Sequence, residues 1–208
     1  MPNCELKLWN NPEVKEFVRF VKSELSHYGM KLIFGRGVEV NIGGFRSSGY
    51  FDEREIRVAR RCPDWLTVLV HEYSHFLQWK HRKEEYEDMF INNVDSLKII
   101  NEWMDGQEFR PSTIKKAFIK ARRMEKKCEM MALEVIRRYG LPINTEKFIR
   151  QANCHIYYYH MMEKTRKRFV KNEMFYCRAL ERIIPKTFQC NNIHHIPEKV
   201  YQLALKTF

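Results

Sequence analysis

The sequence predicts an α+β fold: a small mixed or antiparallel sheet packed on a helix that carries an HExxH pattern, followed by a helical C-terminal half. Three observations lead there. The β-prone runs, punctuated by glycine, are confined to residues 31–59. The run Trp65 to Leu77 is apolar at helical spacing around His71-Glu72-Tyr73-Ser74-His75. Beyond Asp95 helical periodicity dominates, and Gly and Pro fall at the ends of the periodic segments.

Each element can be justified in order. From Pro12 to Tyr28, Val14, Phe17, Val18, Val21 and Leu25 make an apolar helical stripe, which Gly29 ends. Lys31–Phe34 and Val38–Ile42 read as short strands, and Gly43-Gly44 as a turn. Gly49–Ala59 reads as a third strand region that alternates near its end, as a half-buried strand does. Pro63 blocks backward extension of the next helix, and Asp64 is placed to cap it. Lys80–Asn93 is polar and irregular, with a helical turn over Tyr86–Phe90. Asp95–Met104 is a short helix ended by Asp105-Gly106, and Pro111 opens a long one that runs to Tyr139. Asn144 and Thr145 cap another helix, to about Val170, and two shorter helices follow near Phe175–Ile184 and Glu198–Lys206. The aromatic run Tyr157-Tyr158-Tyr159 reads as core.

Composition narrows the class. With 208 residues, 44% of them hydrophobic, the chain can bury one sizeable core or a core with an appendage. The expected division is a core over 1–140 and a helical extension over 141–208, with no internal repeat. Six scattered cysteines form no CxxC pair, so no zinc ribbon is indicated. Cys190, His194 and His195 lie close in sequence but read as solvated loop residues. No apolar run is long enough for a membrane span and no secretory pattern opens the chain, which predicts a cytoplasmic protein with reduced thiols. The net charge is +11, from 37 basic and 26 acidic residues. Its best cluster for phosphate contact is Lys164, Arg166, Lys167 and Arg168, where a solvated helix face is the blander expectation.

The HExxH segment carries the chemistry. Four residues of helix turn ~400°, so His71 and His75 emerge one turn apart on one face and can share a zinc ion. Glu72 stands ~100° away, beside the metal, where a general base takes a proton from an activated water. Catalytic zinc takes three protein ligands. His81 is one source of the third, because the spacing is similar to the HExxHxxGxxH pattern of metzincins. Here, however, Gln78 stands at the glycine, and a helix continuing through it carries His81 out of reach. Glu125 and Glu129 are another source: four apart, they share a helix face. One would bind the metal and the other orient a ligand histidine. Their bland alternative is a solvated face among Lys120, Arg122, Arg123, Lys126 and Lys127.

These motifs resemble those of gluzincin-type zincin metallopeptidases, with HExxH on one helix and a ligand Glu on a later one. The likeness is closest to the small ImmA/IrrE-type and phage-encoded metallopeptidases, and it covers roughly residues 30–140. Their later helix carries E-x-x-A-[DN]-x-x-A. Here Glu125 stands at the ligand position, Cys128 and Ala132 at the small positions, and Glu129 where Asp or Asn is usual, so Glu129 stays open as the alternative ligand. The resemblance implies a zinc-dependent endopeptidase acting on a protein or peptide, with an edge strand before the HExxH helix holding extended substrate. It also implies a Tyr or His oxyanion donor, for which His155, Tyr158 and His160 are candidates. The contrasting expectation is a catalytically silent zincin-like domain that binds nucleic acid or protein. A metal-dependent hydrolase of a non-peptide bond is a further one.

Overall fold

The computed structural model describes residues 8–42, 45–168 and 177–207. The fold is α+β and mostly helical. Contacts divide the chain into two units, Met1–His81 with Met131–Asn144, and Arg82–Met130 with Thr145–Phe208. Residues 82–130 group with the C-terminal helices, because the first two-thirds of the long helix packs on the helix that starts at Thr145.

The first unit opens with α1 (Pro12–His27). Asn11 caps it through Val14 N at 2.9 Å, and Pro12 at the first turn forfeits an N–H that had no partner to lose. Its stripe of Val14, Phe17, Val21 and Leu25 is buried, as expected. At the other end Gly29 adopts φ +71 and the amides of Gly29 and Met30 bond back to Ser26 and Leu25, closing the helix in a Schellman motif. The sheet contains β1 (Lys31–Gly35), β4 (Gly49–Phe51) and β5 (Glu55–Ala59) in the order β1-β5-β4. β1 and β5 are parallel, whereas β4 and β5 form an antiparallel hairpin. β2 (Val40–Ile42) and β3 (Phe45–Ser47) pair separately. The Gly43-Gly44 turn lies outside the described residues.

α2 (Trp65–Lys80) packs on β4 and β5. Ile56 and Val58 of β5 and Leu69, Val70 and Phe76 of α2 are buried, at roughly 1.5–3 kcal/mol for each large side chain removed from water. Asp64 occupies the N-cap position without a capping hydrogen bond. Its φ −103 and ψ 28 differ from the extended backbone that aims a cap side chain at the first-turn amides. On the side facing α1, Tyr73 donates to the Glu24 carboxylate, Lys80 holds the same carboxylate at 2.5 Å, and Phe17 meets Tyr73 edge-on.

The second unit contains α3 (Glu84–Glu87), a hairpin of β6 (Phe90–Ile91) and β7 (Val94–Asp95), and α4 (Ser96–Met104). Its other helices are α5 (Pro111–Arg138, shared with the first unit), α6 (Thr145–Thr165), α7 (Arg178–Ile183) and α8 (Glu198–Thr207). The hairpin replaces the irregular stretch expected there, because Asn92 and Asn93 both take positive φ and make the tight turn that paired strands need. Asp95 caps α4 through Leu97 N and Lys98 N. Two apolar clusters surround α6. One joins Ile114, Phe118 and Ala121 of α5 to Tyr159 and Met162, and the other joins Tyr157 and Met161 to Leu180, Val200 and Ala204. The aromatic run is thus core, as expected. α6 ends at Thr165, and the stretch beyond 168 up to 176 lies outside the described residues.

The connection between α7 and α8 is held by buried polar side chains. Arg122 donates to the Ile193 carbonyl at 2.6 Å, Lys126 to Gln189 at 2.5 Å, Asn153 to Pro185 at 3.0 Å, and His160 to Asn192 at 2.7 Å. Cys190, His194 and His195 are exposed on it, as solvated loop residues are. Among the described residues, no helix is long and apolar enough to cross a membrane.

Candidate metal centre

The first unit holds the HExxH pair on α2. Its single-turn spacing brings the Nε2 atoms of His71 and His75 to 3.2 Å from each other, with the ring planes at 89°. Two imidazoles on a tetrahedral zinc, with bonds of 2.0–2.1 Å, have their nitrogens ~3.3 Å apart. The observed separation fits. The Nδ1 of His75 lies 2.9 Å from the Gln78 side-chain oxygen, and Gln78 is fully buried. An amide oxygen only accepts, so Nδ1 carries the proton and Nε2 of the neutral ring keeps the lone pair a metal requires.

Glu72 is 8% exposed and lies under the start of β4. A Cβ placed on Gly49 would meet Val68 Cγ1 at 2.5 Å and Glu72 Cγ at 3.4 Å. The missing side chain at 49 is what lets the outermost strand run past Glu72. The 49–59 segment before the HExxH helix, expected to provide the edge, splits into β4 and β5. β5 is central and paired on both sides, and the outer strands are β1 and β4, of which β4 is the one in this segment. The region 49–59 folds back on itself at Asp52-Glu53-Arg54, where Glu53 adopts φ +64 and Asp52 accepts from the Arg54 and Glu55 amides.

Within the second unit, α5 and α6 hold a separate buried cluster. Glu125 and Glu129 are each 6% exposed, which removes the solvated-face reading. His155 is 4% exposed, and its Nδ1 lies 3.2 Å from Glu129 Oε1 and 3.8 Å from Glu125 Oε2. Tyr159 donates to Glu125 Oε1 at 3.1 Å. The arrangement is two i,i+4 pairs face to face: 125 and 129 on one helix, 155 and 159 on the next. Carboxylates so deeply buried need protons or positive charge beside them, and an imidazole N–H and a phenol supply part of that requirement.

α2 continues through Gln78 to Lys80, and His81 is the exposed residue that follows it. Tyr158 packs against both apolar clusters, and burial pushes its phenol pKa up. His160 spends its Nε2 on the Asn192 carbonyl. Burial, with help from Arg122, pushes its pKa down to about 3, so it is a neutral structural histidine. Of the basic cluster, Arg166 holds the Trp103 carbonyl at 2.9 Å and Glu108 at 2.8 Å, and Arg168 is bonded to Asp105. Lys164 sits 4.5 Å over the Tyr201 ring. Gln78 and Tyr159 are the residues sequence reasoning missed. Helical spacing contained a signal for both: 78 is one turn beyond 75, and 159 one turn beyond 155.

No family model matches the sequence, and no curated protein and no solved structure is significantly similar to it.

Proposed function

We propose that the chain is a zincin-like, zinc-dependent metallopeptidase in which His71, His75 and a carboxylate of α5 hold the metal. Glu125 is the first choice for that carboxylate, and Glu129 the alternative. The observation that carries the reading is the pair of Nε2 atoms 3.2 Å apart, one with its tautomer set by Gln78. The donor set of two imidazoles and a carboxylate suits zinc. A bound zinc would supply Lewis acidity, polarising a carbonyl and bringing the pKa of a water near 7.

The chain's own groups do the rest. Glu72 takes a proton from the attacking water and later hands it to the leaving amine. An extended peptide would add to the outer edge of β4 through main-chain hydrogen bonds, with Gly49 keeping that strand against Glu72. His155 is the donor we assign to the developing oxyanion, since Tyr158 is packed against the two apolar clusters. The Glu129 carboxylate would hold His155 in place at 3.2 Å.

Elemental analysis tests the ligand set, with wild type beside Glu125→Ala, Glu129→Ala and His81→Ala. The reading expects one zinc per chain, lost when the ligand glutamate is removed and kept in His81→Ala. Glu72→Gln is expected to keep the metal and to abolish hydrolysis of an unfolded protein substrate. Normal turnover in that variant would remove Glu72 from the mechanism.

A further inference from the structure

The charge of this chain has an outlet that the 164–168 cluster does not provide. In that cluster Arg166 and Arg168 are tied to carbonyls and carboxylates of their own unit. The outer face of α5 differs. Between residues 115 and 127 its exposed side chains are Lys115, Lys116, Arg123 and Lys127, every one a cation. The acids nearby on the same helix, Glu125 and Glu129, are buried. Lys116, Lys120, Arg123 and Lys127 follow each other at helical spacing, within a stripe ~60° wide and ~16 Å long. Among the described residues, the acid ion-paired to the stripe is Asp88, which takes Lys120 at 2.5 Å and lies 3.9 Å from Arg123. The opposite face of the helix is fixed in the core through Ile114, Ala117, Phe118 and Ala121, so the row of cations is held straight.

We infer that this stripe binds the phosphate backbone of a nucleic acid. Phosphates on one strand rise ~3.4 Å each along the duplex, so the stripe spans about five of them. A lipid surface is disfavoured, because helices lying on membranes present apolar side chains beside their cations. Here the apolar face is already buried. Nothing in this inference depends on the metal.

The test is fluorescence anisotropy of the full-length protein with a labelled DNA duplex over a salt series. It compares wild type, the triple variant Lys116→Ala/Arg123→Ala/Lys127→Ala, and a control of equal charge, Lys15→Ala/Arg19→Ala/Lys22→Ala, on exposed positions of α1. Circular dichroism checks that both variants are folded, and a stripe variant that fails to fold is replaced by the conservative Lys→Gln, Arg→Gln set. The expected result is duplex binding whose log–log salt slope is shallower by about 2 to 3 in the stripe variant. The control keeps a slope close to wild type. Three results would overturn the inference: no duplex binding at low salt, equal losses in the two variants, or binding to phosphatidylserine vesicles but not to DNA.

Discussion

Replacing Gln78 by Leu removes the acceptor from His75 Nδ1 while leaving a side chain of similar size in a fully buried place. Loss of such an outer partner costs about 10–100-fold in metal affinity. The expected outcome is a zinc dissociation constant raised by that factor in competition titration, with recovery in Gln78→Glu, which restores an acceptor. Unchanged affinity in Gln78→Leu would show that His75 is oriented without it. His71, Glu72 and His75 were legible because they form a motif with a physical reason for its spacing. Gln78 was readable only as a departure from a metzincin turn, since its role appears once α2 is known to continue to Lys80. Tyr159 was hidden for another reason. Three tyrosines in a row leave the choice to the phase of the helix, and that phase is set by packing between the two apolar clusters.

At the scale of elements, the contact between β4 and α2 decides how the candidate site is built. Gly49→Val would drive side-chain atoms into Val68 and to within 3.0 Å of the Arg57 carbonyl. Overpacking of this kind costs about 1–3 kcal/mol, so a lower urea midpoint is expected, and an unchanged midpoint would show that β4 is not seated as described. On the other side of α2, Phe17→Ala empties a fully buried site and is expected to cost about 3–5 kcal/mol in the same measurement. Helices were legible to within a residue or two wherever apolar periodicity was strong, as in α1 and α4. The strands were less so. The 49–59 run bends at a non-glycine residue with positive φ, and the 90–95 hairpin turns on two asparagines. Asn is permitted in that conformation without demanding it, so neither turn announces itself in sequence.

For the whole molecule, acid is the informative stress. His160 has a folded pKa of about 3, below its ordinary value near 6.5, because burial opposes the charged ring. The unfolded chain therefore binds the extra proton first. This contribution to stability is present above pH ~6.5 and is lost as pH falls toward 3, on the order of a few kcal/mol at the extreme. His160→Gln keeps an N–H donor for Asn192 and does not titrate, so its urea midpoint should fall less than wild type's over that range. Parallel declines would assign the acid sensitivity elsewhere. The two-unit grouping was not legible in the sequence, since α5 is continuous through Met130 and nothing in its periodicity marks a boundary. The central claim is that the paired imidazoles of α2 hold one divalent ion, and its most direct measurement is zinc content after metal loading and exhaustive dialysis. The account predicts one zinc per chain in wild type and in Glu72→Gln, and none in His71→Ala or His75→Ala. A wild-type protein that retains no zinc, or histidine variants that retain as much as wild type, would contradict it.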